Sequence, residues 1–196
     1  MDIELLMNIL SAEVPVTLII ENEQYVFSLI PELKDCKGFN QNNAWHIYDV
    51  YEHILKVIEY VPDNLTARFV ALFHDVGKPA VYYADENGVG HFYGHWEKSA
   101  EVFADFSKKH KIDDAFARSV SNLILYHDIN FGKLSDVDLD NVIDIFDLEE
   151  LKLLFEIKRA DLLAQNPEYH GLLKDYDKQE EIALSRKIAK CGESLF

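Results

Sequence analysis

The sequence predicts an all-α fold, a helical bundle with a small N-terminal extension and one long loop or hairpin near residues 80–94. From Tyr48 onward, apolar residues recur at three- and four-residue steps, which places them on one face of a helix. Helix-breaking stretches such as Pro62-Asp63-Asn64 separate these segments. The helical pattern is interrupted by aromatic residues that flank Asn87-Gly88, a pair that favours a hairpin or an ordered loop.

Residues 1–44 are predicted to form an extension that packs on a main domain of residues 45–196. Met1–Ser11 has the pattern of a short helix, whereas the apolar, β-branched segment Val14–Ile20 favours an extended conformation. An apolar pattern resumes at Gln24–Leu33, and the polar segment Gly38–Asn43 is predicted to be a connector. With 196 residues, 48% of them hydrophobic, the chain is long enough for one domain and its extension.

The main domain begins with two helices that local signals delimit. The apolar stripe of the first helix consists of Val50, Ile54, Val57, Ile58 and Val61. Asn64 has the residue type of an N-cap for a second helix at Leu65–Phe73. Gly77 and Pro79 favour the end of that helix. Later helices are predicted at Trp96–His110, Asp113–Tyr126, Asp138–Asp144, Leu148–Gln165 and Tyr169–Ala189.

The charge balance disfavours two classes of partner. Nineteen Lys and Arg residues stand against 35 Asp and Glu residues, which leaves a net charge of −16. Binding to tRNA or other nucleic acid, or to an anionic membrane, requires clustered cations and is therefore not expected. No apolar run reaches the roughly 20 residues of a membrane span. The acidic start is not expected to be a signal peptide, and two cysteines, Cys36 and Cys191, are too few for a disulfide scaffold. A cytoplasmic location is expected.

Histidines and aspartates next to apolar runs are the candidate functional residues. The adjacent pair His74-Asp75 comes where the second helix ends, and Asp161 lies on the edge of an apolar helix. Imidazoles and carboxylates together bind divalent first-row ions without thiolates. Three further histidines with apolar neighbours are His53, His95 and His127. The alternative is that these groups are hydrogen-bonded core residues of a metal-free bundle.

The remaining histidines are weaker candidates. His46, His110 and His170 have polar neighbours, which favours a position at the surface. His91 lies in the predicted hairpin, where it competes with His95 for a place at the site.

The motif LFHDVGKP at residues 72–79 resembles the HD-domain superfamily of metal-dependent phosphohydrolases. It is preceded by DVYEHILKV and followed by GHWEKSAEVF, LILYHD and KRADLLA, and the resemblance covers roughly residues 28–165. Within that superfamily, the stretch from Ile30-Pro31-Glu32-Leu33 through GFNQNNAWHIYDVYEHILKV is similar to the HD region of bacterial tRNA nucleotidyltransferases. The resemblance implies an all-α bundle with the metal at its centre.

The resemblance also implies roles for particular residues. His53, His74, Asp75 and Asp161 match the ligands of a first metal ion, and His95 and His127 fall where two-metal members place extra histidines. The chain departs from the nucleotidyltransferases, because no glycine-serine turn leads to a strand with paired aspartates. Addition of nucleotides to tRNA is therefore not implied, and a free-standing hydrolytic HD protein is expected.

The expected chemistry is hydrolysis of a nucleotide or another small phosphoester by one or two ions of Mn, Fe, Co, Ni, Zn or Mg. Asp75 is expected to bind metal and orient the attacking water. Lys78 is the candidate for binding substrate phosphate, with a solvated loop lysine as its alternative. Arg68, two helical turns before Asp75, is expected to contact the substrate or to support the site from behind the ligands. A second function class stays open, a non-catalytic metal-binding protein with a regulatory or protein-interaction role.

Overall fold

The computed structural model describes residues 3–193, which fold into a helical bundle with one small hairpin. The N-terminal helices are α1 (Glu4–Ser11), α2 (Pro15–Glu21), α3 (Glu23–Leu29) and α4 (Pro31–Cys36). A connector leads to α5 (Val50–Tyr60), α6 (Leu65–Phe73), the short α7 (Lys78–Val81), and strands β1 (Tyr83–Ala84) and β2 (Gly90–His91). The chain continues through α8 (His95–His110), α9 (Asp114–Tyr126), α10 (Asp136–Ile145), α11 (Leu148–Leu163) and α12 (Leu173–Glu193). Two 3₁₀ turns, Phe131–Lys133 and Pro167–Leu172, precede α10 and α12. The predicted all-α class is confirmed.

Side-chain caps explain why several of these helices begin where they do. Asn64 accepts a hydrogen bond from the Ala67 backbone N–H at 3.1 Å, as its residue type predicts. Asp113 and Ser135 cap α9 and α10 in the same way. The N-cap of α11 is Asp147, which forms a capping box with Glu150.

The core is built around α6, a helix with almost no exposed side chain. Every residue from Ala67 to Phe73 on it is buried, because α5, α8, α9, α11 and α1 all pack against it. Phe69, Phe73, Phe103 and Phe106 form an aromatic cluster between α6 and α8. Buried residues of α1–α4 belong to the same continuous core. A domain boundary at residue 44 stays a prediction.

The segment Val14–Ile20 is helical and not extended, which corrects the sequence prediction. Pro15 stands at the first position of α2, where its fixed backbone angle and missing N–H are tolerated. Ile19 is fully buried where α2 packs against α5. Burial against a partner helix outweighs the β propensity of branched side chains, which is a weak and context-dependent preference.

Gly77 has a different role from the helix stop that the sequence predicts. Helix α6 already ends at Phe73, and Gly77 has an ordinary right-handed conformation with φ of −78°. A Cβ atom there would lie 2.7 Å from both the His95 carbonyl O and the Ser99 backbone N. The missing side chain therefore lets the turn after α6 pack directly against the first turn of α8.

The predicted hairpin is present, with Tyr83 paired to His91 and Ala84 to Gly90 in antiparallel register. It is held to the connector by a hydrogen bond from the Gly90 N–H to the Asn42 carbonyl at 2.9 Å. None of the helices formed by residues 3–193 combines the length and apolar content that crossing a bilayer requires.

Candidate metal centre

Six side chains that the sequence singles out converge on one point inside the bundle. They are His53 on α5, His74 and Asp75 directly after α6, His95 at the start of α8, His127 directly after α9, and Asp161 on α11. All except Asp161, which is partly exposed, are buried. The ends of α6 and α9 and the start of α8 therefore meet at the flanks of α5 and α11.

We call His53, His74 and Asp75 the first triad, because one ligand atom of each lies within 4.8 Å of the others. The Nε2 atoms of His53 and His74 each lie 3.3 Å from Asp75 Oδ2. Asp161 reaches the same place, with its Oδ1 3.0 Å from His53 Nε2 and 4.0 Å from His74 Nε2. Two imidazoles and two carboxylates thus face one another.

The second triad consists of Asp75, His95 and His127. Asp75 Oδ1 lies 3.3 Å from His95 Nε2 and 3.9 Å from His127 Nε2, and the two imidazole nitrogens are 3.3 Å apart. The two oxygens of Asp75 therefore face different histidine pairs. This carboxylate stands between two groups of ligands, each of suitable composition for a divalent ion.

Backbone carbonyls fix the orientation of all four imidazoles. The Nδ1 atoms of His53, His74, His95 and His127 lie 2.7–3.3 Å from the carbonyl oxygens of Ala164, Ala71, Phe92 and Ile124 respectively. A carbonyl only accepts hydrogen bonds, so Nδ1 carries a proton and Nε2 is the nitrogen that can offer a lone pair to an ion once it is deprotonated. Metal-binding histidines are held in this way by their outer partners.

The residues present fit a divalent cation, because they leave part of the buried Asp75 carboxylate without a hydrogen-bond donor. Both of its oxygens are buried, and Oδ1 accepts no hydrogen bond from the described residues. Lys78 Nζ pairs with Oδ2 at 2.6 Å, so the unmet need for a donor or a cation lies at Oδ1. A buried carboxylate without donors costs free energy unless a cation satisfies it.

The two carboxyl groups are ionised in this environment. Burial alone would raise the pKa of Asp75, but the neighbouring His74 imidazole and Lys78 ammonium group hold it well below its usual range. Burial also opposes ionisation of Asp161, yet the hydrogen bond and charge of His53 lower its pKa. Both carboxylates therefore present charged oxygen atoms to which a divalent cation can bind.

The imidazoles of the two triads differ in their affinity for protons. Burial lowers the pKa of His53, but its hydrogen bonds with Asp161 and Asp75 outweigh burial and raise the pKa to about 9. Burial, assisted by the charge of His74, lowers the pKa of His127 to about 3. A metal ion must therefore displace a proton from His53 but none from His127.

Lys78 lies inside the cluster and is not a solvated loop lysine. Its Nζ is 2.6 Å from Asp75 Oδ2, 2.9 Å from Gln41 Oε1 and 3.2 Å from His46 Nε2.

Arg68, by contrast, does not lie at the cluster. Its Nη1 donates to the carbonyl oxygens of Leu10 at 2.8 Å and of residue 12 at 2.9 Å, so it ties α6 to the end of α1.

His46 is the residue that the sequence interpretation missed. Its Nδ1 donates to Asn43 Oδ1 at 2.8 Å, and burial together with the charge of Lys78 lowers its pKa to about 2. It is thus a half-buried, neutral acceptor for Lys78 and not the fully exposed histidine that a surface position implies. His46 lies in an irregular connector, where no periodic pattern of apolar residues could have indicated that it contacts Lys78.

His91 bonds to Asp85 at 3.1 Å in the hairpin, so His95 and not His91 completes the second triad.

A cavity of about 460 Å³ opens onto the cluster. Its lining includes Asp75 and Asp161 of the cluster and the β2 residues Gly90 and His91. Trp45, stacked on Tyr169 with ring centroids 3.8 Å apart, also lines it. Lys158 of α11 and the α12 residues Asp175, Tyr176 and Gln179 contribute further lining. Burial lowers the pKa of Lys158 to about 8, which leaves it protonated at neutral pH.

Comparison with known proteins agrees with this arrangement. A family model described as HD domain matches residues 44–165. The A-adding tRNA nucleotidyltransferase of Deinococcus radiodurans is 31% identical over 104 residues, 50% of this chain and 24% of that protein. The CC-adding tRNA nucleotidyltransferase of Thermus thermophilus is 39% identical over 79 residues, 37% of this chain and 18% of that protein. The matches thus span a quarter or less of the length of these relatives. They confirm the resemblance drawn from the LFHDVGKP motif, and since the family model covers more than half of the residues, the chain belongs to the HD domain family.

Proposed function

We propose that this chain is a metal-dependent phosphohydrolase that acts on a nucleotide or another small phosphoester. The observation that carries the proposal is Asp75, a buried carboxylate whose two oxygens face separate histidine pairs and whose Oδ1 accepts no hydrogen bond from the described residues. A structural zinc site encloses its ion completely. Here a cavity reaches the ligands, and space for water and substrate beside the ligands is what a catalytic site requires.

Each ligand residue contributes to this function through its position. Asp75 would hold metal with both oxygens, and Asp161 would complete the shell beside His53 and His74. Lys78 keeps Asp75 ionised and oriented through the 2.6 Å ion pair. Divalent ions bound here would lower the pKa of water and offset the charge that develops on the phosphoryl group.

The size and charge of the molecule support a small substrate. The cavity volume of about 460 Å³ lies within the range of pockets for small molecules. A net charge of −16 disfavours a polynucleotide, whose phosphates bind clustered cations. The names of the two relatives describe nucleotide addition to tRNA, and the shared segments are too short a part of those proteins to extend that activity to this chain.

The test is hydrolysis of nitrophenyl phosphate mono- and diesters, after chelation and after addition of manganese, cobalt, nickel or calcium. We expect activity to return with the first three ions and not with calcium, which prefers oxygen ligands. His74→Ala and Asp75→Ala should abolish activity while far-ultraviolet circular dichroism stays unchanged. His170→Ala, which lies outside the cavity lining, is the matched control and should keep full activity.

Two results would contradict the proposal. Equal rates in the wild type, His74→Ala and Asp75→Ala would place the activity elsewhere. A protein that contains metal by elemental analysis, yet hydrolyses no ester with any ion, would favour the non-catalytic metal-binding function.

A further inference from the structure

We propose that Lys158, and not Lys78, supplies the ammonium group that binds the phosphoryl group of the substrate. The inference rests on the proposed phosphohydrolase function and names a binding residue for it. The ligand chemistry is a phosphoryl dianion, which inorganic phosphate and a phosphate monoester share.

Lys78 has no capacity left for an anion. An ammonium group has three N–H donors, and three acceptors surround Nζ of Lys78: Asp75 Oδ2 at 2.6 Å, Gln41 Oε1 at 2.9 Å and His46 Nε2 at 3.2 Å. Its charge is moreover neutralised by Asp75. Binding of substrate phosphate by Lys78 would break a buried ion pair, which is costly.

Lys158 is the opposite case, a buried cation without an ion-pair partner. Only 3% of its surface is exposed. Its Nζ donates to the carbonyl oxygens of His127 at 2.9 Å and Ile129 at 2.7 Å, and among residues 3–193 no carboxylate forms an ion pair with it. The two carbonyls are neutral, and the carboxylates of Asp128 and Asp161 act on the ammonium group only from beyond ion-pair distance. A buried cation without a paired anion favours an anion beside it.

The position of Lys158 places that charge next to the metal ligands. It precedes Asp161 by three residues on α11, so the two side chains share one helix face, and both line the cavity. The carbonyl that it bonds belongs to His127 of the second triad. The ring centroid of Tyr176, which also lines the cavity, lies 5.1 Å from the ammonium nitrogen. An anion bound to Lys158 therefore lies within the chamber that contains Asp75.

A purely structural role is the alternative, since lysines can bond the last carbonyls of a helix and stabilise its end. Lys158→Gln separates the two roles, because the amide still donates hydrogen bonds but carries no charge. Lys158→Met removes both. Lys152→Gln is the matched control: Lys152 lies on the same helix, is partly exposed and pairs with Glu149 at 2.7 Å, outside the cavity lining.

The experiment titrates inorganic phosphate into each metal-loaded protein by calorimetry. We expect Lys158→Gln and Lys158→Met to weaken phosphate binding by about tenfold or more, the effect of losing a charge-assisted hydrogen bond. Lys152→Gln should bind like the wild type. Metal content and the melting temperature of Lys158→Gln should equal those of the wild type.

The kinetic arm uses nitrophenyl phosphate as the dianionic monoester and bis-nitrophenyl phosphate as the monoanionic diester. Lys158→Gln should raise KM for the monoester several-fold more than for the diester, a selectivity that a structural role does not produce. This arm distinguishes a bound substrate from free phosphate.

Three results would overturn the inference. The first is unchanged phosphate affinity in Lys158→Gln, and the second is a wild type that binds no phosphate. The third is loss of a metal ion in Lys158→Gln, because Lys158 would then act by positioning His127. If the wild type hydrolyses nothing yet binds phosphate through Lys158, the proposed function fails while the binding assignment stands.

Discussion

The substitution Gly77→Ala, which adds one methyl group, tests whether close packing of the turn after α6 on α8 positions the second triad. An alanine Cβ there would lie 2.7 Å from the His95 carbonyl O and the Ser99 backbone N, and 2.8 Å from Lys98 Cβ. Ordinary contact begins at 3.4 Å. The first turn of α8 must therefore move away by roughly 0.7 Å, since backbone atoms cannot rotate aside as a side-chain tip does.

This displacement should remove one metal ion without changing a ligand. His95 is the first residue of α8 and belongs only to the second triad. Metal–ligand distances tolerate errors of about 0.2 Å, so a shift of this size takes His95 out of range. His53 and Asp161 lie on α5 and α11 and should keep the first ion.

Stability should fall as well, by about 1–3 kcal/mol, the usual cost of overpacking a closely packed interior. Urea unfolding of the metal-free protein gives the free energy of unfolding, and elemental analysis of the loaded protein gives its metal content. Gly171→Ala is the control, because a Cβ at Gly171 meets nothing within 4 Å. Should Gly77→Ala match Gly171→Ala in both measurements, the close approach of the turn to α8 is not what positions His95.

Three further predictions concern the cluster and the core. Elemental analysis should show that Asp161→Ala loses the ion of the first triad and that His127→Ala loses the ion of the second triad. Asp75→Ala should lose both ions. Equal losses in all three variants would argue against a carboxylate shared by the two ions. Lys78→Met should lower the free energy of unfolding of the metal-free protein by about 3 kcal/mol, because it leaves the buried Asp75 without its ion pair. Added manganese should restore most of that loss in urea unfolding, and an equal loss with and without metal would contradict this reasoning. Phe103→Ala should cost about 3–5 kcal/mol, since the ring is fully buried, yet leave the metal content unchanged; loss of metal would show that the aromatic cluster supports the site.

Local signals account for the parts of the fold that the sequence predicted well. The N-cap at Asn64 and the Asn87-Gly88 turn depend only on neighbouring residues, and the structure places a helix start and a hairpin there. Helix α12 begins at Leu173 and not near Tyr169, because Pro167–Leu172 forms a 3₁₀ turn that shares the same short-range pattern. The helical assignment of Val14–Ile20 was missed since it depends on burial against α5.

By itself, the sequence determined the all-α class, the position of most helices and the set of histidines and aspartates suited to metal binding. Helical periodicity and capping act over a few residues and can be read along the chain. Only the tertiary structure decided that His95 and not His91 joins the second triad, and that Arg68 is tied to α1. It also decided that Asp75 neutralises Lys78 while Lys158 stays without a carboxylate partner among the described residues. These outcomes depend on distances between elements far apart in sequence, and on which charges packing leaves buried together, and no local pattern encodes either.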